Sequence, residues 1–92
     1  MIGSFRAPDV EKLFDDQDVP RFRSFEQVAR RKLLLLHRSV SLHDLRVPPG
    51  NRLEELKGDR NGQHSIRIND QWRICFVWRD GDAFDVEIAD YH

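Results

Sequence analysis

A change of hydrophobic period at Pro48-Pro49-Gly50-Asn51 constrains this 92-residue chain more than any other feature. Before it, apolar residues recur every three or four positions. After it, they alternate. Two prolines followed by Gly exclude a helix there and mark a loop. A chain that is helical first and alternating later is α+β, with its helices gathered on one face of an antiparallel sheet.

In the first half, Ile2 to Phe5 reads as a short edge strand. Asp9 is placed to cap a brief helix carrying Val10, Leu13 and Phe14, which Asp15 to Pro20 terminates. Ser24-x-x-Gln27 has the form of a capping box, in which each side chain satisfies a backbone N–H of the first helical turn. Phe22, Phe25, Ala29, Leu33 and Leu36 then form one buried stripe, with Arg23, Arg30, Arg31 and Arg38 away from its centre. Ser41-x-x-Asp44 opens a further short turn of helix. In the second half, Arg52 to Lys57 is a short irregular strand and Gly58 to Gly62 a loop. His64, Ile66 and Ile68 oppose Ser65, Arg67 and Asn69. Trp72, Ile74, Phe76 and Trp78 oppose Arg73, Cys75 and Val77. Asp80-Gly81 is a hairpin turn, because both central residues of a type I′ turn need positive φ. Phe84, Val86 and Ile88 then alternate with Asp85, Glu87 and Ala89. The expected architecture is a short N-terminal strand and two helices on one face of a mainly antiparallel sheet of about four strands, all in one domain spanning residues 1–92. The opposite, polar face carries Arg67, Arg73, Glu87 and, by parity, Tyr91.

Composition narrows the functional classes. No apolar run approaches the roughly 18 residues of a membrane span, and a basic-then-apolar leader is absent, so the expected location is the cytoplasm, away from membranes. One cysteine excludes an internal disulfide, and no His/Cys/Asp cluster has metal-ligand spacing, so neither metal nor cofactor is expected. The net charge of −1 conceals an asymmetry. Residues 21–60 hold ten basic and five acidic side chains, against two and five in 1–20 and three and six in 61–92. A basic middle between acidic ends favours a local anion site over coating of nucleic acid.

Few residues can carry chemistry. Glu54 and Glu55 are adjacent, so only one faces a given side of a strand. A carboxylate among Arg52 and Lys57 is either a surface ion pair or a weak general base. Arg73, with its planar permanent charge, either pairs with Asp85 or Glu87 or grips phosphate. His92 follows Asp90 and Tyr91, and a histidine exchanges protons near neutrality. A base, an Arg and a proton-donating His suffice to cleave RNA without metal. The base deprotonates the 2′-OH, that oxygen attacks the adjacent phosphorus, and His protonates the leaving oxygen.

The ordered set running from Pro48-Pro49-Gly50-Asn51-Arg52-Leu53-Glu54-Glu55-Leu56-Lys57-Gly58-Asp59-Arg60 through Gly62-Gln63-His64-Ser65-Ile66-Arg67-Ile68-Asn69-Asp70-Gln71-Trp72-Arg73-Ile74 to Asp90-Tyr91-His92 resembles the HigB toxins of the RelE/ParE superfamily. The resemblance implies a RelE-like fold and the toxin of a type II toxin–antitoxin pair, a ribosome-dependent mRNA endoribonuclease acting in the 30S A site. By position it implies Glu54 as base, Arg73 as the transition-state cation and His92 as acid. It makes Asp90 and Tyr91 their neighbours and Lys57 a phosphate ligand. Arg52, Arg60 and Arg67 are the further cations expected to bind RNA phosphate. The implied partners are a helix-turn-helix antitoxin, the ribosome with its mRNA, and operator DNA through the antitoxin complex. Two alternatives stand beside this reading: a ParE-like toxin that inhibits gyrase, and a non-catalytic module that only holds an antitoxin.

Overall fold

The computed structural model describes residues 1–90. Helix α1 spans Pro8–Phe14 and helix α2 spans Glu26–Arg38. Strands β1 (Glu54–Glu55), β2 (Gln63–Arg67), β3 (Trp72–Arg79) and β4 (Asp82–Asp90) form one antiparallel sheet in the order β1-β2-β3-β4. The layers are those expected: two helices on one side of a four-stranded sheet. The expected irregular strand over Arg52 to Lys57 shrinks to two residues, because Arg52 takes a left-handed conformation and Gly58–Arg60 turns into a 3-10 helix.

The stripe Phe22, Phe25, Ala29, Leu33 and Leu36 is buried against Ile66, Ile68, Ile74, Phe76, Val86 and Ile88. Trp72 closes one end of this layer, its ring stacked on Phe25 at 5.2 Å and edge-on to Phe22 at 6.2 Å. That aromatic contact accompanies a revised start for α2. Residues Pro20–Phe25 form a 3-10 turn, so α2 begins at Glu26 with Phe25 as its cap, and the Ser24/Gln27 capping box is not used. Asp9 likewise does not cap α1. Ala7 holds that position, Pro8 opens the helix, and Asp9 lies in the first turn, where it accepts from Arg21 at 2.8 Å. The capping box at Ser41 and Asp44 does form, opening a 3-10 turn over Leu42–Arg46. Arg30 is not simply solvated. It donates to the carbonyls of Leu13 and Gln17 and so tethers the end of α1 to α2.

The β3–β4 hairpin turns at Asp80 and Gly81, both at positive φ (54° and 81°), as a type I′ turn requires. Within β4 the alternation breaks. Cys75 faces Glu87 but Val77 faces Phe84, so β4 carries one extra residue. Asp85 supplies it, at φ 53° with its N–H donating to Ser4 Oγ. The bulge moves Phe84 off the helix-facing row, and Ala83, fully buried, takes its place. Phe84 lies instead under the Arg79 guanidinium, 4.5 Å from the ring centroid. The bulge also explains why Ile2 to Phe5 makes two isolated parallel bridges, Ile2 to Ala83 and Phe5 to Val86, and not a continuous strand. Those bridges still cover the outer edge of β4.

Candidate active site

The sheet face away from the helices carries two rows. Register places Arg67, Arg73 and Ala89 side by side, and Glu54, Ser65, Cys75 and Glu87 in the row next to them. This face is less open than parity alone implied. The Arg52 carbonyl and the Arg60 side chain reach Arg73 and Glu87 on it, and Ser65, Cys75 and Arg73 are buried.

Arg73 is the centre of the arrangement. Its side chain is only 10% exposed. Nε donates to Ser65 Oγ at 2.8 Å, and Nη2 donates to the carbonyl of Arg52 at 2.6 Å. Glu54 Oε2 lies 3.9 Å from Nη2, within ionic range but beyond a hydrogen bond. Two fixed acceptors on one side of a planar fork set the direction in which the remaining N–H groups point. Neither Asp85 nor Glu87 is the partner. Glu87 takes Arg60 and Arg6 instead.

Glu54 faces this site because it stands opposite Ser65, whereas Glu55 stands opposite His64 on the other parity. Its side chain is 57% exposed, so its carboxylate meets solvent while sitting beside the Arg73 charge. Lys57 and Arg52 are exposed on either side of β1. Arg60 is bonded to Glu87 and to Gln63 Oε1, and Arg67 to Asp70, so both are held as ion pairs at the rim. Asp90 is paired with Trp72 and accepts from Gln71 Nε2 at 3.2 Å. That pairing gives it the parity of Ile88 and not that of Arg73. The expected roles of Tyr91 and His92 lie outside the described residues. Glu54, Arg73, Arg52 and Ser65 are thus brought together, and Asp90 stands on the adjoining strand end.

A carboxylate beside a buried, doubly anchored guanidinium provides a proton acceptor and an anion-stabilising fork a few ångströms apart. The sequence over residues 3–92 matches the family model described as the RelE-like toxin of the type II toxin–antitoxin system HigB. The chain belongs to the HigB-like toxin family. Toxin HigB-1 of Vibrio cholerae is 40% identical over 87 residues, which cover 92% of each chain. The Endoribonuclease HigB of Proteus vulgaris is 46% identical over 41 residues, 45% of each chain. Among solved structures, the toxin is similar to the YoeB–YefM complex from Staphylococcus aureus, with a TM-score of 0.62 at 18% identity over 100% of this chain and 98% of that one. It is similar also to a YafQ variant from E. coli, with a TM-score of 0.62 at 12% identity over 98% of this chain and 93% of that one. These two likenesses place the toxin's fold among the RelE-like ones. Among the described residues, no helix of the toxin is long and apolar enough to cross a membrane.

Sequence reasoning missed four contributors. Ser65 was legible as a residue on the Arg73 face but gave no sign that it accepts from the guanidinium. The Arg52 carbonyl is a backbone group, and no side-chain pattern announces it. Lys32 and Asn51 are buried and bonded to one another. Lys32 lies three residues after Ala29 and four before Leu36, so helical spacing alone would have put it at the edge of the buried stripe.

Proposed function

We propose that this toxin is a metal-independent mRNA endoribonuclease that works on the ribosome, in the A site, and so stops translation. The observation that carries the reading is Arg73: a buried guanidinium aimed by Ser65 and the Arg52 carbonyl, with the Glu54 carboxylate 3.9 Å away. In this reading Glu54 accepts the proton of a ribose 2′-OH. The 2′ oxygen forms a bond to the adjacent phosphorus, and the bond from phosphorus to the 5′ oxygen breaks. Arg73 stabilises the charge that grows on the phosphoryl oxygens, an effect on the order of 10²–10³-fold per donor. His92 gives its proton to the leaving 5′ oxygen, and Tyr91 and Asp90 serve as its neighbours. The products are a 2′,3′-cyclic phosphate and a free 5′-OH. Requiring a 2′-OH selects RNA over DNA.

Lys57 and the exposed Arg52 contact RNA phosphate first, and Arg60 and Arg67 add to the rim once their ion pairs exchange for phosphate. With a net charge of −1, the toxin lacks the charge to hold bare RNA in salt, which makes the ribosome the agent that presents the substrate. The antitoxin of the pair is a helix-turn-helix protein, and operator DNA is reached through that complex. The test is cleavage by the purified toxin of an mRNA offered free and on programmed ribosomes. Cutting confined to ribosome-bound mRNA is the expected result. Intact mRNA on ribosomes together with inhibited gyrase would replace this reading with a ParE-like one.

A further inference from the structure

Lys32 is an unusual residue for its position. It lies on α2 between the buried Ala29 and Leu36 and is itself only 9% exposed. Burying an ammonium costs free energy that an apolar side chain would not incur. The group it meets is Asn51, which is fully buried, and Lys32 Nζ donates to Asn51 Oδ1. The other end of the Asn51 amide is engaged as well. Nδ2 donates to the Leu45 carbonyl at 3.2 Å and approaches that of Val47 at 3.5 Å. The backbone N–H of Asn51 donates to Pro48 at 3.0 Å. One side chain therefore ties a helix to the two turns that precede the active-site segment.

The next residue is Arg52, at φ 46° and ψ 58°. A left-handed conformation costs a residue other than Gly about 1–2 kcal/mol, and it persists where surrounding contacts over-determine it. The consequence is that the Arg52 carbonyl points inward and accepts from Arg73 Nη2 at 2.6 Å. A continuous path thus runs from Lys32 Nζ to Asn51 Oδ1, across the Asn51–Arg52 peptide, and from the Arg52 carbonyl to the Arg73 guanidinium. Burial, with Arg31 and Arg67 close by, holds the Lys32 ammonium below its ordinary range, so the charge sits there at a cost.

We propose that Asn51, braced by Lys32, is a positioning residue for Arg73, acting through the Arg52 carbonyl. This rests on the reading of Arg73 as the phosphate-gripping group. Without the Asn51 amide the turn is released, the guanidinium keeps only its bond to Ser65 Oγ, and it pivots about Nε. A displacement of about 1 Å at such a group costs up to roughly 100-fold in rate.

The test is Asn51→Ala, assayed for cleavage of mRNA on programmed ribosomes well below the melting temperature. The expected result is a kcat lower by roughly 10- to 100-fold with KM unchanged, and no further loss when Asn51→Ala is added to Arg73→Ala. In parallel, hydrogen exchange at the Arg73 Nη2–H that donates to the Arg52 carbonyl, read by NMR, should accelerate on the order of tenfold while the β2 and β3 backbone amides keep their protection. Where Asn51→Ala is too unstable to purify, Lys32→Met carries the same measurements, since it leaves the turn residue in place. Full kcat, losses additive with Arg73→Ala, or unchanged Nη2–H exchange would overturn the proposal. A wild-type toxin that cuts nothing on ribosomes would overturn the endoribonuclease reading alone. The exchange measurement would then decide the positioning claim by itself.

Discussion

Replacing Arg73 by Met separates the stability of the fold from its chemistry. The substitution keeps an unbranched stem and removes the guanidinium. Two hydrogen bonds disappear, to Ser65 Oγ and to the Arg52 carbonyl. Bonds involving a charged donor contribute about 1.5–3 kcal/mol each, so the gross loss is about 3–6 kcal/mol. Against this, the variant no longer buries a cation that is only 10% exposed, and that desolvation cost is several kcal/mol. The two terms nearly cancel, leaving a net change within about 2 kcal/mol of either sign. For a domain of this size that is a shift of at most about 15 °C in Tm. Catalysis has no such compensation. Losing the charge donor costs on the order of 10²–10³-fold in cleavage. Circular dichroism melts paired with primer extension on programmed ribosomes read both quantities. A variant that cuts within tenfold of the wild-type rate would refute the reasoning, because Arg73 would then not be the group that stabilises the reacting phosphate.

Arg52→Gly removes an exposed side chain but retains the left-handed backbone and its carbonyl, so KM for programmed ribosomes should rise while kcat changes little. A kcat falling with KM unchanged would contradict this. Asp85→Gly keeps the bulge at φ 53° and the donation to Ser4 Oγ while relieving about 1 kcal/mol of strain, and thermal melts should show Tm higher by several degrees. An unchanged or lower Tm would argue against strain at that position. Lys32 binds its proton less tightly folded than unfolded. Between its lowered folded value and the ordinary 10.5, the unfolded chain holds more protons, so stability rises with pH there, while below that window the cost of the buried charge is fully present. Denaturant melts across alkaline pH should show this rise in the wild type and a flatter profile in Lys32→Met. Equal slopes would contradict it.

Local rules were sufficient wherever a residue's role depends on its neighbours in the chain. Asp80-Gly81 adopts the turn that its φ requirements dictate, Ser41 and Asp44 cap each other, and the Phe22-to-Leu36 stripe is the core face of the helical layer. Strand parity was also enough to bring Arg73 to the face opposite the helices and to allow only one of Glu54 and Glu55 there, while the choice of Glu54 came from the family resemblance and agrees with its register opposite Ser65. What escaped depends on contacts between distant segments. Ser24 and Gln27 have the form of a cap, yet the chain tightens into a 3-10 turn where Phe22 and Phe25 meet Trp72. Nothing in Ala83-Phe84-Asp85-Val86 announces a bulge, because Asp85 tolerates positive φ without being Gly, and one inserted residue reverses the faces of Phe84 and Ala83. The anchoring of Arg73 was illegible for a related reason: one acceptor is a backbone carbonyl, and its geometry is set by a lysine and an asparagine 19 residues apart.

On the proposed mechanism the toxin cuts mRNA by attack of the ribose 2′ oxygen on its own phosphate. The most direct measurement maps a cut on a ribosome-bound mRNA and repeats the reaction with a single 2′-deoxynucleotide on the 5′ side of that bond. That mechanism predicts that this one substitution abolishes cleavage there, and that the uncut site's all-ribose counterpart yields a 2′,3′-cyclic phosphate. Cleavage of the deoxy-substituted mRNA at an undiminished rate would contradict it, since water would then be the nucleophile.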